Sequence, residues 1–226
     1  MRYAPQRKVL IKWSDNLAYA VGLIASDGCL SKDNRHIYFI SKDEEPVENI
    51  KKALKIKNKI FRHGRGGEKT KKYYAINFGD IEFYKFLNKI GITSAKSKTI
   101  KKVLVQRKYF DGFMRGLFDG DGSFYTFYDK RWPNSFVYKI SFASASAHFV
   151  DWLKETYTEL YSVKGYLHKG AGVINLEYTK NDSRRLFHAM YHRSNILFLK
   201  RKYDKIKTAL EYDARLHLKQ GTHMPR

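Results

Sequence analysis

The chain of 226 residues has a single cysteine, Cys29, which rules out an intramolecular disulfide and a cysteine-based zinc site and fits an intracellular, reducing setting. Its eight histidines are scattered and read as surface or groove residues. No apolar run approaches the roughly 18 residues that a membrane span needs, and the start, MRYAPQRKVLIKW, lacks the long apolar stretch of a signal peptide. Neither a membrane partner nor export is therefore expected. Acidic residues are also scarce, 22 against 44 lysines and arginines, so the formal net charge is +22 and the pI near 9.9. A folded chain carrying this excess repels itself unless a polyanion compensates, which makes nucleic acid the expected partner and an acidic membrane surface its rival. Hydrophobic residues make up 43% of the chain, enough for a substantial core in one large domain or two small ones.

One stretch breaks local rules. GFMRGLFDGDG, Gly112 to Gly122, has glycine at every fourth position of an expected helix, where each costs about 0.5–1 kcal/mol relative to alanine. It also puts Asp119 and Asp121 in the last turn, where the macrodipole disfavours carboxylates. Conflicts of this kind collect at functional sites.

A second copy exists. LAYAVGLIASDG, Leu17 to Gly28, ends in the same Asp-Gly, and its Ala18, Gly22 and Ser26 match Gly112, Gly116 and Gly120 at a constant offset of 94 (112 − 18). Asp27 and Asp121 keep that offset. Further on, Phe39, Val47 and Ile50 match Phe142, Val150 and Leu153 at an offset of 103 (142 − 39), the extra residues falling where DKRWPNS reads as a longer hairpin loop. The chain is thus two homologous halves, and the apolar periodicity of each reads as αββαββα. The expected elements of the first half are helices near 14–27, 43–55 and 80–90, with strands near 28–32, 35–41, 58–64 and 71–78. In the second half helices fall near 107–121, 146–161 and 182–193, and strands near 122–129, 135–144, 163–169 and 172–179. In SFVYKISFA, Phe136, Tyr138, Ile140 and Phe142 share one strand face while Lys139 and Ser141 take the other; Asn175 and Glu177 lie on the polar side of VINLEYT. Small residues four apart on equivalent helices let the two axes approach closely, which predicts Ala18, Gly22 and Ser26 packed against Gly112, Gly116 and Gly120 about a pseudo-two-fold axis. Asp27 and Asp121 then emerge side by side, an arrangement that a cation makes comfortable.

GLIASDG and GLFDGDG resemble the two copies of the signature of the LAGLIDADG homing endonucleases, in the single-chain form with both copies on one polypeptide. The resemblance spans essentially the whole chain. It departs in the first copy, which has Ala25 where an acidic residue is common and Ser26 where a small residue is expected; the last acidic position stands in both. The fold implied is α+β: two pseudo-two-fold-related αββαββα repeats joined through paired LAGLIDADG helices, each with an antiparallel sheet, the two sheets forming a DNA-binding saddle. The expected parts are an N-terminal repeat over 1–95, a linker over 96–106, a C-terminal repeat over 107–212 and a tail over 213–226, which is either an extra helix or a basic end.

The activity implied is a site-specific, divalent-metal-dependent double-strand DNA endonuclease with a long target and short 3′ overhangs. Asp27 and Asp121 would hold the metal, with Ser26 and Gly120 beside them; Mg²⁺ is the expected ion, Ca²⁺ or Mn²⁺ substituting. The family's basic residues near the site come from segments like KSKTIKK and LKRKYDK. By position these give Lys98 and Lys202, with Lys96, Lys200 and Arg201 as alternatives, and ordinary phosphate contact or a solvated face as the other explanation of each. DNA reading is expected from Lys32, Arg35, Lys42, Arg62, Arg65, Lys72 and Asn77 in the first half and from Lys139, Ser141, His168, Lys169, Asn175 and Glu177 in the second. Arginine and lysine suit guanine edges, asparagine adenine and glutamate cytosine, while others will touch only phosphate. The two sets differ, so the target should be asymmetric, and one chain should act as a monomer.

DGDGSF also begins like a calcium loop, but with Asp119 at its first position Phe124 falls where glycine is needed and Lys130 where the bidentate glutamate belongs. An intron RNA-splicing maturase and a non-cleaving DNA-binding relative remain open alternatives. No splicing-domain sequence flanks the repeats, so a free-standing intron-encoded protein is expected over an intein, in an organelle or a prokaryotic cytoplasm.

Overall fold

The computed structural model describes residues 8–64, 70 and 72–221. Helix α1 (Asp15–Asp27) starts where the Ser14 hydroxyl accepts the Leu17 N–H at 3.1 Å and Asp15 lies in the first turn, complementing the helix dipole. It is followed by β1 (Gly28–Leu30), β2 (His36–Ser41), α2 (Glu45–Leu54), β3 (Phe61–His63), β4 (Tyr73–Gly79) and α3 (Ile81–Lys89). A 3₁₀ turn at Lys96–Lys98 and another at Arg107–Tyr109 lead to α4 (Phe110–Asp121). Then come β5 (Gly122–Asp129), β6 (Trp132–Ser144), α5 (Ala147–Tyr161), β7 (Tyr166–Lys169), β8 (Ile174–Thr179), α6 (Lys180–Tyr191) and α7 (Lys200–Gly221).

Each half forms a four-stranded antiparallel sheet, in the order β1-β2-β4-β3 in the first and β5-β6-β8-β7 in the second. The identical order is the repeat in three dimensions. Strand alternation decides which face each sheet buries: Phe136, Tyr138, Ile140 and Phe142 of β6 point into the core, and Lys139 and Ser141 face the other way. One expectation is corrected here. DKRWPNS is not a long loop, because Asp129 pairs with Trp132 and the added residues lengthen β5 and β6, leaving a tight turn in which Asp129 accepts the Arg131 N–H at 2.9 Å.

Helices α1 and α4 pack in the same direction through their small residues. A Cβ at Gly22 would lie 2.2 Å from the Phe113 carbonyl oxygen, and one at Gly116 would lie 2.1 Å from that of Tyr19. Gly112 faces Asp15, and Gly120 faces Ser26, one at each end of the contact. Backbone therefore meets backbone, which explains why glycine is tolerated at a helical position it would otherwise weaken.

The linker and, as far as Gly221, the segment after Tyr212 are tied to the rest of the fold. Ile100 and Val103 are buried, and the Leu104 N–H reaches the Ile90 carbonyl at 2.8 Å. Helix α7 runs unbroken past Tyr212, and Asp213 is buried against Lys180 (2.6 Å) and Arg184 (2.7 Å), so the boundary expected at 212 is not a break in the fold. Among the described residues no helix is long and apolar enough to cross a membrane.

Candidate functional site

The packed helices end together. A Cβ at Gly120 would fall 1.9 Å from the Ser26 Oγ and 3.4 Å from the Asp27 Oδ2, so the last turns of α1 and α4 are in contact. The backbone then leaves each helix in extended conformation, at Gly28 and at Gly122, and Asp27 and Asp121 stand beside each other at two helix C-termini. Although Asp121 lies at the surface, the crowding of its carboxyl and then the neighbouring Asp27 charge push its pKa up to about 6.

A lysine sits behind each aspartate. Lys96, buried at 6% exposure, donates to the Ser26 carbonyl (3.1 Å) and the Gly28 carbonyl (2.6 Å). Lys202 donates to the equivalent carbonyls of Gly120 (3.1 Å) and Gly122 (2.6 Å), and also to those of Phe118 (2.6 Å) and Asp119 (2.9 Å). The two ammonium groups satisfy the carbonyls that each helix end leaves open and supply the positive charge that its dipole favours. Burial lowers the pKa of both, that of Lys202 to about 8, with Asp27 and Asp121 pulling upward.

The first-half lysine is therefore Lys96, one of the alternatives, and not Lys98, whose side chain is exposed on the same 3₁₀ turn. Lys200 and Arg201 point elsewhere, Lys200 to Asp204 at 2.5 Å and Arg201 to Asp43 at 2.6 Å. Periodicity could not separate these neighbours, because one lysine lies in a 3₁₀ turn and the other in an α-helix.

Asp119 was not singled out by the sequence for any role of its own. It is buried, and its Oδ2 accepts the Tyr19 hydroxyl (2.8 Å) and the Leu199 N–H (2.7 Å), while burial raises its pKa to about 6. Its counterpart at the offset of 94 is the apolar Ala25, also buried.

Among the described residues no group of three or more histidine, cysteine, aspartate or glutamate side chains converges. His188 and His192 do stand four apart near the end of α6, but His192 is engaged with the Ala189 carbonyl at 2.8 Å and lies 3.8 Å from Asp111. Two adjoining carboxylates, that of Asp121 with its pKa raised, do fit a hard cation that keeps several waters and takes further oxygens from a phosphate. The Ser26 and Gly120 carbonyls, the other candidates for that ion, each already accept a lysine proton.

Comparison with known proteins bears on this geometry. A family model described as a LAGLIDADG-like domain matches residues 15–91. The chain superposes on the crystal structure of I-DmoI in complex with DNA and Mn with a TM-score of 0.51 at 16% identity, covering 79% of this chain and 97% of that one. The chain has the two-motif LAGLIDADG fold. I-SmaMI bound to uncleavable DNA gives a TM-score of 0.57 at 13% identity, with 88% of this chain and 90% of that one covered. Full-length DUF199/WhiA from Thermatoga maritima gives 0.57 at 16% identity over 90% of this chain, which spans 63% of that longer protein. No curated protein sequence matches significantly.

Strand register assigns each candidate for DNA contact either to the core face of its sheet or to the outer face. In the second half Lys139, Ser141, His168, Asn175 and Glu177 share the outer face, with Ser141 opposite Glu177 and His168 opposite Asn175. Lys139 donates to Glu177 at 2.9 Å, and Ser141 is covered, at 6% exposure. Lys169 falls on the opposite face, paired with Ile174. In the first half Asn77 is exposed on the outer face beside Tyr38. Arg62 is not: it pairs with Tyr74 on the other face, its guanidinium 4.0 Å above that ring. Lys32 and Arg35 are exposed in the β1–β2 turn, Lys42 after β2 and Lys72 before β4, and Arg65 lies outside the described residues.

The sequence reading missed the aromatic content of these faces. Tyr38 and Phe61 stand 6.2 Å apart on the first, and Tyr125 and Phe127 stack on the second beneath the Lys139 ammonium. The alternation that placed Lys139 also places Tyr125 and Phe127, so the signal was present once β5 was paired with β6.

Proposed function

We propose that this protein is a divalent-metal-dependent endonuclease that makes a double-strand break in a long asymmetric DNA target and leaves short 3′ overhangs, acting as a monomer in intron homing. The observation that carries the proposal is the meeting of Asp27 and Asp121 at two helix ends, each backed by a seated lysine. The fold alone does not carry it, since the DNA-bound endonucleases and WhiA are matched about equally well.

Asp27 and Asp121 would hold Mg²⁺, or Mn²⁺ or Ca²⁺ in its place, against phosphate oxygens. When bound, such an ion supplies positive charge to the phosphate and favours deprotonation of a water. Lys96 and Lys202 fix the carbonyl ends of α1 and α4 and thus the spacing of the carboxylates. Their ammonium groups also place positive charge beside the phosphate as its own charge develops. The outer faces of the two sheets supply the DNA surface: lysines for phosphate, Asn77 and Asn175 for base edges, and aromatic rings for sugar and base contact. The formal charge of +22 draws the duplex in.

The test is to select cleaved sites from a randomised duplex library in Mg²⁺ and to repeat the winning site with Asp27→Asn and Asp121→Asn, measuring binding in Ca²⁺ in parallel. Cleavage by the natural protein, lost in either variant while binding persists, is the expected result. Binding with no cleavage by the natural protein would remove the nuclease and leave a DNA-binding or intron RNA-binding role.

A further inference from the structure

Lys202 reaches its seat by an unusual route. Between α6 and α7 the chain runs against α2 and α4, and each residue of Leu197–Arg201 is tied to a different polar side chain. The Leu197 carbonyl accepts Arg115 Nε at 2.8 Å, and the Phe198 carbonyl accepts Asn49 Nδ2 at 2.9 Å. The Leu199 N–H donates to Asp119 at 2.7 Å, the Lys200 N–H donates to Glu45 at 3.0 Å, and the Arg201 guanidinium pairs with Asp43 at 2.6 Å. Three of these anchors, Asp43, Glu45 and Asn49, belong to the first half, whereas Arg115 and Asp119 belong to α4.

The deepest ties converge on one buried cluster. Asn49 also donates to the Tyr19 hydroxyl at 3.3 Å, which in turn donates to Asp119 at 2.8 Å. Arg115 is 1% exposed and is held by the Met190 carbonyl at 2.8 Å and by Asp15. The strap then passes directly into the first turn of α7, where the Lys202 and Tyr203 N–H groups both donate to the Leu199 carbonyl at 3.1 Å. Leu199, fixed on its other side by Asp119, thus sets where Lys202 begins.

The first half has another arrangement. The segment leading to Lys96 is held by its own helix, through N–H groups of Gly91 and Ile92 on the Asn88 and Leu87 carbonyls. The position equivalent to Asp119 is Ala25, which can accept no such bond.

We infer that Leu197–Arg201 is a strap through which the first half positions the second half's lysine, with Asp119 and Asn49 as positioning residues for Lys202. Among the described residues the segment before Lys96 has no such strap; the second half's tie there, the Ser146 hydroxyl on the Ile100 carbonyl at 2.5 Å, follows Lys96 and shares no residue with the strap, so disturbing the strap moves one lysine and leaves the other in place. On the endonuclease reading, on which this consequence rests, the strand served by Asp121 and Lys202 depends on the strap and the strand served by Asp27 and Lys96 does not. Polar contacts this buried are sensitive to losing one partner, because the other is then left unsatisfied.

The test uses two variants of the full chain, Asp119→Asn and Asn49→Ala, with Glu45→Gln at the surface as a third that leaves the buried cluster intact. Trace acylation with acetic anhydride over a pH series, read peptide by peptide and corrected for the fraction of free amine, reports whether each ammonium has left its carbonyl seat and needs no cleavage. The inference expects labelling of Lys202 to rise about tenfold in the first two variants while that of Lys96 stays unchanged, because a displaced group exposes its amine without unfolding the site. Strand-resolved cleavage should show one strand slowed by about 10- to 100-fold, the loss that a misplacement near 1 Å produces, with the other strand and the KM for DNA unchanged. Equal labelling changes at both lysines, or unchanged labelling at Lys202, would overturn the strap. Cleavage lost on both strands with Lys202 alone labelled faster would keep the strap and overturn its strand assignment. If the natural protein cuts nothing, the endonuclease reading fails while the labelling still decides the strap.

Discussion

The two halves share strand order, helix packing and lysine seats, yet differ at one buried position, Ala25 in the first and Asp119 in the second. What is kept on both sides is what the shared centre needs: a carboxylate at the helix end, a small residue where the helices touch, and an ammonium on the Gly28 or Gly122 carbonyl. What differs answers to local neighbours. Asp119 has Tyr19 and the Leu199 N–H to bind, and a carboxylate at position 25 would need partners of its own in an apolar core, at a cost of several kcal/mol unless it neutralised. The repeat is therefore strict where both copies meet and relaxed one residue away.

That contrast can be broken most severely at the shared carboxylates. Asp27→Asn and Asp121→Asn should each lower cleavage by at least about 10³-fold with DNA affinity in Ca²⁺ retained, since each removes a preorganised charge at the reacting centre. A variant that lost only affinity would place the residue in binding and separate the two copies.

Gly116→Ala should come next. Its Cβ would meet the Tyr19 carbonyl at 2.1 Å, so the helices must part, and the expected loss is about 2–4 kcal/mol in denaturant unfolding. Gly22→Ala, pressed on the Phe113 carbonyl, should match it if the halves contribute alike to the interface.

A smaller effect concerns stability and pH. The folded pKa of Asp121 is raised to about 6 from a usual value of 3.8, so its ionisation opposes folding. The penalty is absent below the unfolded value, grows as pH rises between about 4 and 6, and is complete above. Asp121→Asn should thus be more stable than the natural protein at pH 7 by about 1 kcal/mol after allowance for solvent screening, or roughly 2–4 °C in Tm, and equal to it near pH 3.5. A gain that persists at low pH would assign the effect to something other than charge. The same proton competes with a divalent ion, so metal affinity should fall as pH drops through 6.

The smallest effect is expected at Lys98. Its exposed side chain should tolerate alanine within about 0.5 kcal/mol, whereas Lys96→Met leaves the Ser26 and Gly28 carbonyls without their donor and should slow cleavage strongly.

Much of this was legible in the sequence. The paired small residues and the repeated Asp-Gly located the helix contact and both carboxylates, because close approach and like-charge pairing leave local marks on residue type. Period-two alternation assigned Lys139, Ser141, Asn175 and Glu177 to one face correctly. It misplaced Arg62 and Lys169, since β3 and β7 are three and four residues long and a one-residue slip in so short a strand reverses its faces. Lys96 could not be told from Lys98, nor α7 from a tail, because both depend on contacts distant in sequence: Lys96 on residues about 70 positions away, Asp213 on Lys180 and Arg184. DKRWPNS looked like a loop because proline and asparagine mark turns, and pairing with a neighbouring strand overrode that preference.

Whether Asp27 and Asp121 together hold a divalent ion against DNA is tested most directly by crystallising the complex with a selected duplex in Mn²⁺ and recording the anomalous difference density. The expected result is a peak in contact with both the carboxylates and a phosphate oxygen at the junction of α1 and α4, lost in the doubly substituted Asp27→Asn, Asp121→Asn protein. A cleaved duplex with manganese bound elsewhere, or none at that junction, would contradict it.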